Sequence, residues 1–202
     1  MKPVKKYKIG RRLGSGVFEK CQTPKFVASE ARHLKSRKGR RPKPLSAYGS
    51  QFIEKQKVRF MYGISERQFG NYIQESILQK NKPASEYLFE LLERRLDNVV
   101  YRMGIVHTRR LARQIISHGH ILVNGRRINV PSYRVNLNDK ISIREGSQKS
   151  ILFAEMVKKL KDYTSPNWLS FNGENLSGVV QGQPNNTEAF IDLKTVLEFY
   201  SR

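Results

Sequence analysis

The chain has 202 residues, a mass of 23.5 kDa and a formal net charge of +21. This length leaves room for one or two domains with cores of their own, and so large a positive charge favours nucleic acid as the partner, with an anionic membrane surface far behind. The single cysteine, Cys21, excludes an intrachain disulfide and a zinc site with several cysteine ligands. No run approaches ~18 apolar residues and no secretory signal is expected, so we predict a cytoplasmic protein, with a plastid or other organelle as the alternative.

Residues 1–45 are predicted to form an extended basic arm. They carry 15 Lys and Arg against two acids, and their sparse apolar residues follow no helical or strand period. Such a segment buries too little surface to order by itself, so we expect it to order on nucleic acid, with Arg40, Arg41 and Lys43 as contacts. A solvated tail or a basic localisation signal is the alternative.

Residues 46–92 are predicted to form a helical domain that is completed by about 155–202. A first helix ends at Gly63, and Ser65 opens a second helix with a capping-box pattern. A third helix is predicted from Ser85 to its end at Gly104. Cations and one amide of the first two helices are predicted to give this domain an RNA face: Lys55, Lys57, Arg59, Arg67 and Asn71.

Residues 93–152 are predicted to form a small RNA-binding module. Thr108 is a good N-cap for a short helix that ends near His118, and Asn124-Gly125 between two apolar runs is typical of a type I′ hairpin turn. Further extended segments follow. The chain is therefore predicted to be an α+β protein, in which a mostly helical domain and a small α/β domain, with two or three helices on an antiparallel sheet, follow the extended basic arm.

Residues 153–202 are predicted to pack back on the helical domain. Residues 151–160 have a helical spacing of apolar side chains, residues 166–171 read as a strand, and residues 190–200 form an apolar C-terminal strip.

Arginines on one face of the short central helix are the main candidates for phosphate contacts. No acid occurs between Asp97 and Asp139, whereas a merely solvated helix face usually mixes both signs of charge. Glu93 and Asp97 are predicted to form ion pairs that orient arginine side chains, and His118, His120 and Tyr133 are predicted to stack on bases or sugars. The candidate RNA contacts of the module are Arg94, Arg95, Arg102, Thr108, Arg109, Arg110, Arg113, Gln114, Ser117, His118, His120, Asn124, Gly125, Arg126, Arg127, Tyr133 and Arg134.

No enzymatic constellation is found in the sequence. The four histidines lack the spacing of a zinc site, no phosphate-binding loop or nucleophile elbow is present, and the few carboxylates lie among arginines. We therefore predict no enzyme activity, no cofactor and no metal.

Several segments resemble the bacterial-type ribosomal protein S4 family of the small subunit. In the module these are LLERRLDNVVYRMG at 91–104, TRRLARQ at 108–114, HGHILVNG at 118–125 and PSY at 131–133. Upstream they are LSAYG at 45–49, EKQKVRFMYG at 54–63 and ERQF at 66–69, and EFYS at 198–201 ends the chain. The resemblance covers about residues 42–145 and the C-terminal strip.

The resemblance implies a primary binder of small-subunit ribosomal RNA that nucleates assembly of the body of the subunit. It also implies contacts with ribosomal protein S5 and other small-subunit proteins, a part in translational accuracy together with S5 and S12, and a place near the channel through which mRNA enters. No membrane contact is implied. Two departures are noted: only Cys21 stands where some members carry zinc cysteines, and Asn186 stands where the family tends to have arginine.

Three other functions remain open on the sequence. The module occurs in RNA-modifying enzymes of the pseudouridine-synthase kind, although the rest of this chain looks too small for a catalytic domain. A helix-turn-helix DNA regulator that uses residues 86–118 is a second alternative. A free RNA-binding stress or rescue factor is a third.

Overall fold

The computed structural model describes residues 5–36, 44–148, 150, 153, 163–173, 175–185 and 190–201. The chain forms two compact units: unit one comprises Met1–Ser85 and Thr187–Arg202, and unit two comprises Glu86–Asn186. Unit one is helical and unit two combines helices with an antiparallel sheet, so the predicted α+β class is confirmed. Among the described residues, none of the helices has the length and apolarity to cross a bilayer.

The basic N-terminal segment is folded rather than extended. It forms α1 (Lys6–Leu13), two short 3-10 turns (Ser15–Val17 and Glu19–Gln22) and α2 (Pro24–Ser36). Leu13, Val17, Cys21 and Phe26 are buried where these short pieces meet. The predicted extended arm is thus wrong for residues 6–36, because four apolar side chains from separate short elements converge into a small core when the chain folds. The predicted contacts Arg40, Arg41 and Lys43 lie outside the described residues.

The remaining helices of unit one are α3 (Ala47–Tyr62), α4 (Glu66–Leu78) and, at the end of the chain, α9 (Leu193–Tyr200). The predicted boundary of α3 and α4 is confirmed: α3 ends at Gly63, and Ser65 Oγ accepts a hydrogen bond from Gln68 N at 3.2 Å. α9 packs along α3.

Unit two begins with a helix that is interrupted where one continuous helix is predicted. α5 (Ala84–Glu93) and α6 (Leu96–Arg102) are separated by Arg94 and Arg95, and Arg95 has extended backbone angles of φ −70° and ψ 137°. The Arg94 carbonyl accepts from Val135 N at 2.9 Å, and Leu96 N donates to Tyr133 O at 2.8 Å. These hydrogen bonds to a distant segment replace the helical ones, which a local pattern cannot reveal.

The second half of unit two is built on a five-stranded antiparallel sheet in the order β2-β1-β3-β5-β4. α7 (Arg109–Ser117) precedes β1 (Ile121–Val123) and β2 (Arg126–Arg127), then come β3 (Lys140–Ile143), α8 (Glu145–Gln148), β4 (Leu169–Asn172) and β5 (Ser177–Val180). The predicted hairpin between β1 and β2 is confirmed, with positive φ values of 50° at Asn124 and 77° at Gly125.

The core of unit two lies between the sheet and helices α6 and α7. Val99 and Ile116 from the helices meet Ile121, Ile141 and Val180 from the sheet, and all five are buried. The prediction that 153–202 packs back on the helical domain is wrong for the two last strands, because β5 pairs with β3 and so extends the sheet of unit two. The predicted helix at 151–160 lies almost wholly outside the described residues.

Candidate nucleic-acid interface

Helix α7 presents a polar face and a buried one. Thr108 Oγ1 caps the helix by accepting from Leu111 N at 3.1 Å, so its hydroxyl serves the fold rather than an RNA contact. Ala112, Ile115 and Ile116 are buried. The predicted contacts that remain exposed on the other side are Arg110, Gln114 and Ser117, with Arg113 half-buried.

Arg109 departs from its predicted place on the exposed face. Its residue surface is only 7% exposed. Its Nε donates to Asn98 Oδ1 at 2.7 Å, and the guanidinium lies 4.4 Å from the centre of the Tyr101 ring. As the first residue of α7 it points back against α6, so it holds the two helices together instead of facing a ligand.

A buried carboxylate fixes two of the predicted arginines. Asp97 is 2% exposed and accepts from Arg95 Nε at 3.0 Å and from Arg95 Nη2 at 2.8 Å. The same carboxylate accepts from Arg113 Nε at 2.7 Å, while the Arg113 side chain stays 28% exposed. Arg95 is buried and is therefore a positioning residue, whereas Arg113 is held at one edge and reaches the surface.

Glu93 plays the same part for Arg102. It accepts from Arg102 Nε at 2.9 Å and from Arg102 Nη2 at 3.0 Å, and Asn98 Nδ2 donates to it at 2.8 Å. The prediction that Glu93 and Asp97 form ion pairs with arginines is thus confirmed. Because each pair uses a planar guanidinium and a buried carboxylate, the arginine geometry is set before any ligand binds.

The hairpin carries two exposed arginines beside the end of α7. Arg127 Nη2 donates to the carbonyl of His118 at 3.2 Å, at the C-terminus of the helix. Gly119 has φ +73°, and a Cβ there would collide with the guanidinium of Arg127. The bare backbone of Gly119 therefore makes room for Arg127, whereas Arg126 projects into solvent from the tight turn.

Two predicted contacts, Asn124 and Arg94, use their polar groups inside the fold, and a third, Tyr133, packs against the core. Asn124 Nδ2 donates to Asp139 Oδ1 at 2.7 Å and Asn124 Oδ1 accepts from Lys140 N at 2.8 Å, so this amide ties the hairpin to β3. Arg94 donates to Val135 O, Glu90 Oε1 and Asn136 Oδ1 at 2.8 to 2.9 Å. Tyr133 packs half-buried against the core. Gly125 and Arg134 are exposed.

The two histidines next to the hairpin lie together. The ring centres of His118 and His120 are 5.9 Å apart, and His120 Nδ1 lies 2.9 Å from Ser147 Oγ. Burial lowers the pKa of His120, and the nearby His118, Arg144 and Arg127 lower it further. His120 is therefore neutral at physiological pH, while His118 is exposed.

The predicted RNA face of unit one is largely taken up by internal contacts. Lys55 is 7% exposed, donates to Glu66 Oε1 at 2.6 Å and lies 4.7 Å from the centre of the Phe199 ring. Arg59 pairs with Glu66 at 2.6 Å, and Lys57 pairs with Glu54 at 2.5 Å. The predicted contact at Lys55 is wrong in this structure because the ammonium is enclosed by aromatic rings.

Arg67 and Asn71 are the two members of that predicted face that are exposed. Among the described residues, no cluster of three or more His, Cys, Asp or Glu side chains could hold a metal ion.

Comparison with known proteins decides the family. Residues 94–141 match the family model described as S4 domain, and residues 3–93 match the one described as Ribosomal protein S4/S9 N-terminal domain. The chain is 42% identical over 199 residues to small ribosomal subunit protein uS4 of Chloroflexus aurantiacus, with 96% of each chain covered. It is 40% identical over 204 residues to the uS4 protein of Aquifex aeolicus, with 96% of this chain and 95% of the relative covered.

The chain belongs to the uS4 family of small-subunit ribosomal proteins. The resemblance seen in the sequence motifs is thus confirmed, and the matches extend it to the N-terminal segment that those motifs left out. In this chain the match to the S4 domain follows directly, along the sequence, the match to the N-terminal domain of the same ribosomal family.

Sequence reasoning missed two residues of the interface of this uS4 chain. Arg144 is exposed just after β3, and its N–H donates to His120 O at 2.9 Å, which brings it next to the end of α7. The pairing of Ile121 with Ile143 brings Arg144 next to the end of α7, so its position could be predicted only from the register of the sheet. In the sequence Gly119 indicates only the end of the helix near His118, and the space that it leaves for Arg127 is visible only in the folded structure.

Proposed function

We propose that this uS4 protein is a structural component of the small ribosomal subunit that binds its ribosomal RNA as a primary binder and nucleates assembly of the body of the subunit. The observation that supports this most is the set of cations on α7 and next to its C-terminus. Arg110 and Arg113 reach the surface from the helix, Arg127 and Arg144 lie next to its end, and Arg126 is exposed on the adjoining hairpin. The family membership supplies the class of RNA.

Recognition in this proposal is of RNA shape and backbone. The major groove of an RNA helix is too deep and narrow for side chains to read, so phosphates and 2′-hydroxyls at a folded junction are the natural targets. The buried Asp97 and Glu93 hold Arg113 and Arg102 in place. Little side-chain entropy is therefore lost when these arginines meet phosphates, which favours tight binding to one RNA fold.

The finer roles rest on the family resemblance. They comprise contact with ribosomal protein S5 and other small-subunit proteins, a part in translational accuracy with S5 and S12, and a position near the channel that mRNA enters. We also propose that the protein acts in the cytoplasm, or in an organelle with bacterial-type ribosomes, as part of the small subunit.

A competition experiment tests the proposal. Purified protein is bound to labelled small-subunit RNA at fixed salt, and unlabelled small-subunit RNA, large-subunit RNA and duplex DNA are added as competitors. The proposal predicts that small-subunit RNA competes best, because the arginine geometry fits one junction. Equal competition by duplex DNA at equal phosphate concentration would contradict it and would favour a general electrostatic binder.

A further inference from the structure

Unit one contains a groove that the proposed interface does not use. Its volume is about 690 Å³, which lies in the range of ligand pockets of roughly 300–1,000 Å³. It is formed by α1, α2 and α3 together with Leu45, just before α3. This size suits one nucleotide rather than an RNA helix.

One side of the groove is lined by cationic side chains. Lys8, Arg11 and Arg12 come from α1 and His33 comes from α2, and none of the described residues that line the groove is acidic. The guanidinium of Arg11 is held by Ser29 Oγ, to which its Nη2 donates at 2.8 Å. Its Nε is buried and has no acceptor among the described residues, so this guanidinium is not fully satisfied by the described part of unit one.

The other side is flat and aromatic. Tyr48, Phe52 and Ile53 line the groove from α3, and Tyr48 is 56% exposed although it is a large aromatic residue. The Tyr48 ring lies 6.4 Å from the Phe52 ring at an interplanar angle of 23°, and 5.4 Å from the Phe199 ring. These neighbours hold the ring in place, so one face of it is a preformed stacking platform.

We propose that this groove receives a single unstacked nucleotide of the bound RNA, with its base on Tyr48 and its phosphates against Arg11 and Arg12. Cations beside an exposed aromatic ring are the combination by which proteins hold single-stranded nucleotides. The inference rests on the proposed function, since it names a second place where the same RNA is held.

Substitutions of Tyr48 test the stacking. Against small-subunit RNA, Tyr48→Ala should weaken binding about 5- to 100-fold, which is the range for loss of one base–aromatic stack. Tyr48→Phe should bind like the wild type because it keeps the ring, whereas Tyr48→Leu should bind like Tyr48→Ala, because it is apolar but has no π face. Leu78→Ala is the control, since Leu78 is an exposed apolar residue of unit one outside the groove.

Alanine substitutions of Arg12 and Arg32, which each remove one positive charge, test the phosphate contact. Arg12→Ala should reduce the magnitude of the slope of log affinity against log salt by about 0.7–0.9, whereas Arg32→Ala, on α2 but not in the groove lining, should leave it unchanged. After ultraviolet crosslinking of the wild-type complex, a nucleotide adduct on the peptide that contains Tyr48 is expected.

The results separate the two proposals. If the wild type shows no preference for small-subunit RNA, the proposed function itself fails. If the wild type binds that RNA and Tyr48→Leu or Tyr48→Ala binds equally well, or the Tyr48 peptide crosslinks to protein in reconstituted subunits, only the groove proposal is overturned. Saturable micromolar binding of free nucleoside monophosphates that is lost in Tyr48→Ala would assign the groove to a small nucleotide and would also overturn it.

Discussion

The Nε atom of Arg113 donates to Oδ2 of Asp97 at 2.7 Å, and that carboxylate is 2% exposed. The buried carboxylate of Asp97 therefore holds the guanidinium of Arg113 at the proposed RNA surface of unit two. Arg95 donates two hydrogen bonds to the same carboxylate. Asp97 of α6 therefore holds Arg95 at the break between α5 and α6 and also orients Arg113 of α7. Asp97 therefore contributes both to the stability of unit two and to the geometry of the proposed RNA surface.

Asp97→Asn is expected to be strongly destabilising. It removes the charge of a carboxylate that pairs with the buried Arg95 and with Arg113, and the loss of one member of a buried ion pair costs about 3–5 kcal/mol in comparable cases. Urea unfolding followed by circular dichroism measures it. Glu86→Gln, an exposed carboxylate of the same unit, is the control and should change stability by less than about 1 kcal/mol. Similar values for both would show that the Asp97 pairs add nothing.

Two adjacent arginines separate folding from binding. Arg110→Ala should weaken binding to small-subunit RNA and change the free energy of unfolding by less than about 0.5 kcal/mol, because Arg110 is exposed. Arg109→Ala should destabilise the protein by about 1–3 kcal/mol, because Arg109 is buried, stacks on Tyr101 and donates to Asn98. Both variants lose one positive charge, so filter binding beside thermal melting distinguishes them. An unfolded Arg110→Ala variant would contradict this assignment of the faces.

Two glycines with the same backbone strain test the clearance for Arg127. Gly119 has φ +73° and Gly125 has φ +77°, so alanine at either position has a similar conformational cost. A Cβ at 125 meets nothing within 4 Å, whereas one at 119 collides with the Arg127 guanidinium. The Arg127 guanidinium is the end of a flexible, exposed side chain that can move aside at little cost, so the two substitutions should reduce stability by similar amounts. Gly119→Ala should lower RNA affinity more than Gly125→Ala, because it displaces Arg127. Equal RNA affinities of the two variants would show that this contact has no role.

The stability of unit one should depend on the ionisation of Glu66. Burial by itself would raise the pKa of Glu66, but hydrogen bonds from Lys55, Tyr200 and Arg59 lower it to about 2 from 4.5. A carboxylate with a lowered pKa contributes stability that is present above its unfolded pKa and is lost as pH falls through the folded value. Stability should therefore drop between about pH 4.5 and pH 2, with a smaller drop in Glu66→Gln. Identical pH profiles of the two proteins would refute the contribution.

Local patterns predicted the features that depend on neighbouring residues. The caps at Ser65 and Thr108 and the Asn124-Gly125 turn can be read from a few residues because each follows from spacing along one helix or turn. The ion pairs of Glu93 and Asp97 were predicted from their position among arginines, although their partners Arg102 and Arg113 lie on other helices. The motifs also identified the family, since several short matches share one order along the chain.

Features that depend on distant residues could not be predicted. The break at Arg95 arises from hydrogen bonds to residues near Tyr133. The strand β5 joins the sheet by pairing with β3, and β4 joins it by pairing with β5. Arg109 and Lys55 look like surface cations in the sequence, but aromatic rings enclose them in the fold. A count of cations in the sequence therefore overestimates the number of RNA contacts, because only the cations that stay exposed in the fold can reach RNA.

The salt dependence of RNA affinity tests the central claim most directly. Binding of the full chain to small-subunit RNA is measured by filter retention across a series of monovalent salt concentrations. If ~8 phosphates are neutralised, log affinity should fall with log salt at a slope of roughly −6 to −7, and alanine at Arg110, Arg126 and Arg144 together should reduce its magnitude by about 2–3. A slope near zero for the wild type, or an unchanged slope for the triple variant, would contradict the proposal that these arginines hold the RNA backbone.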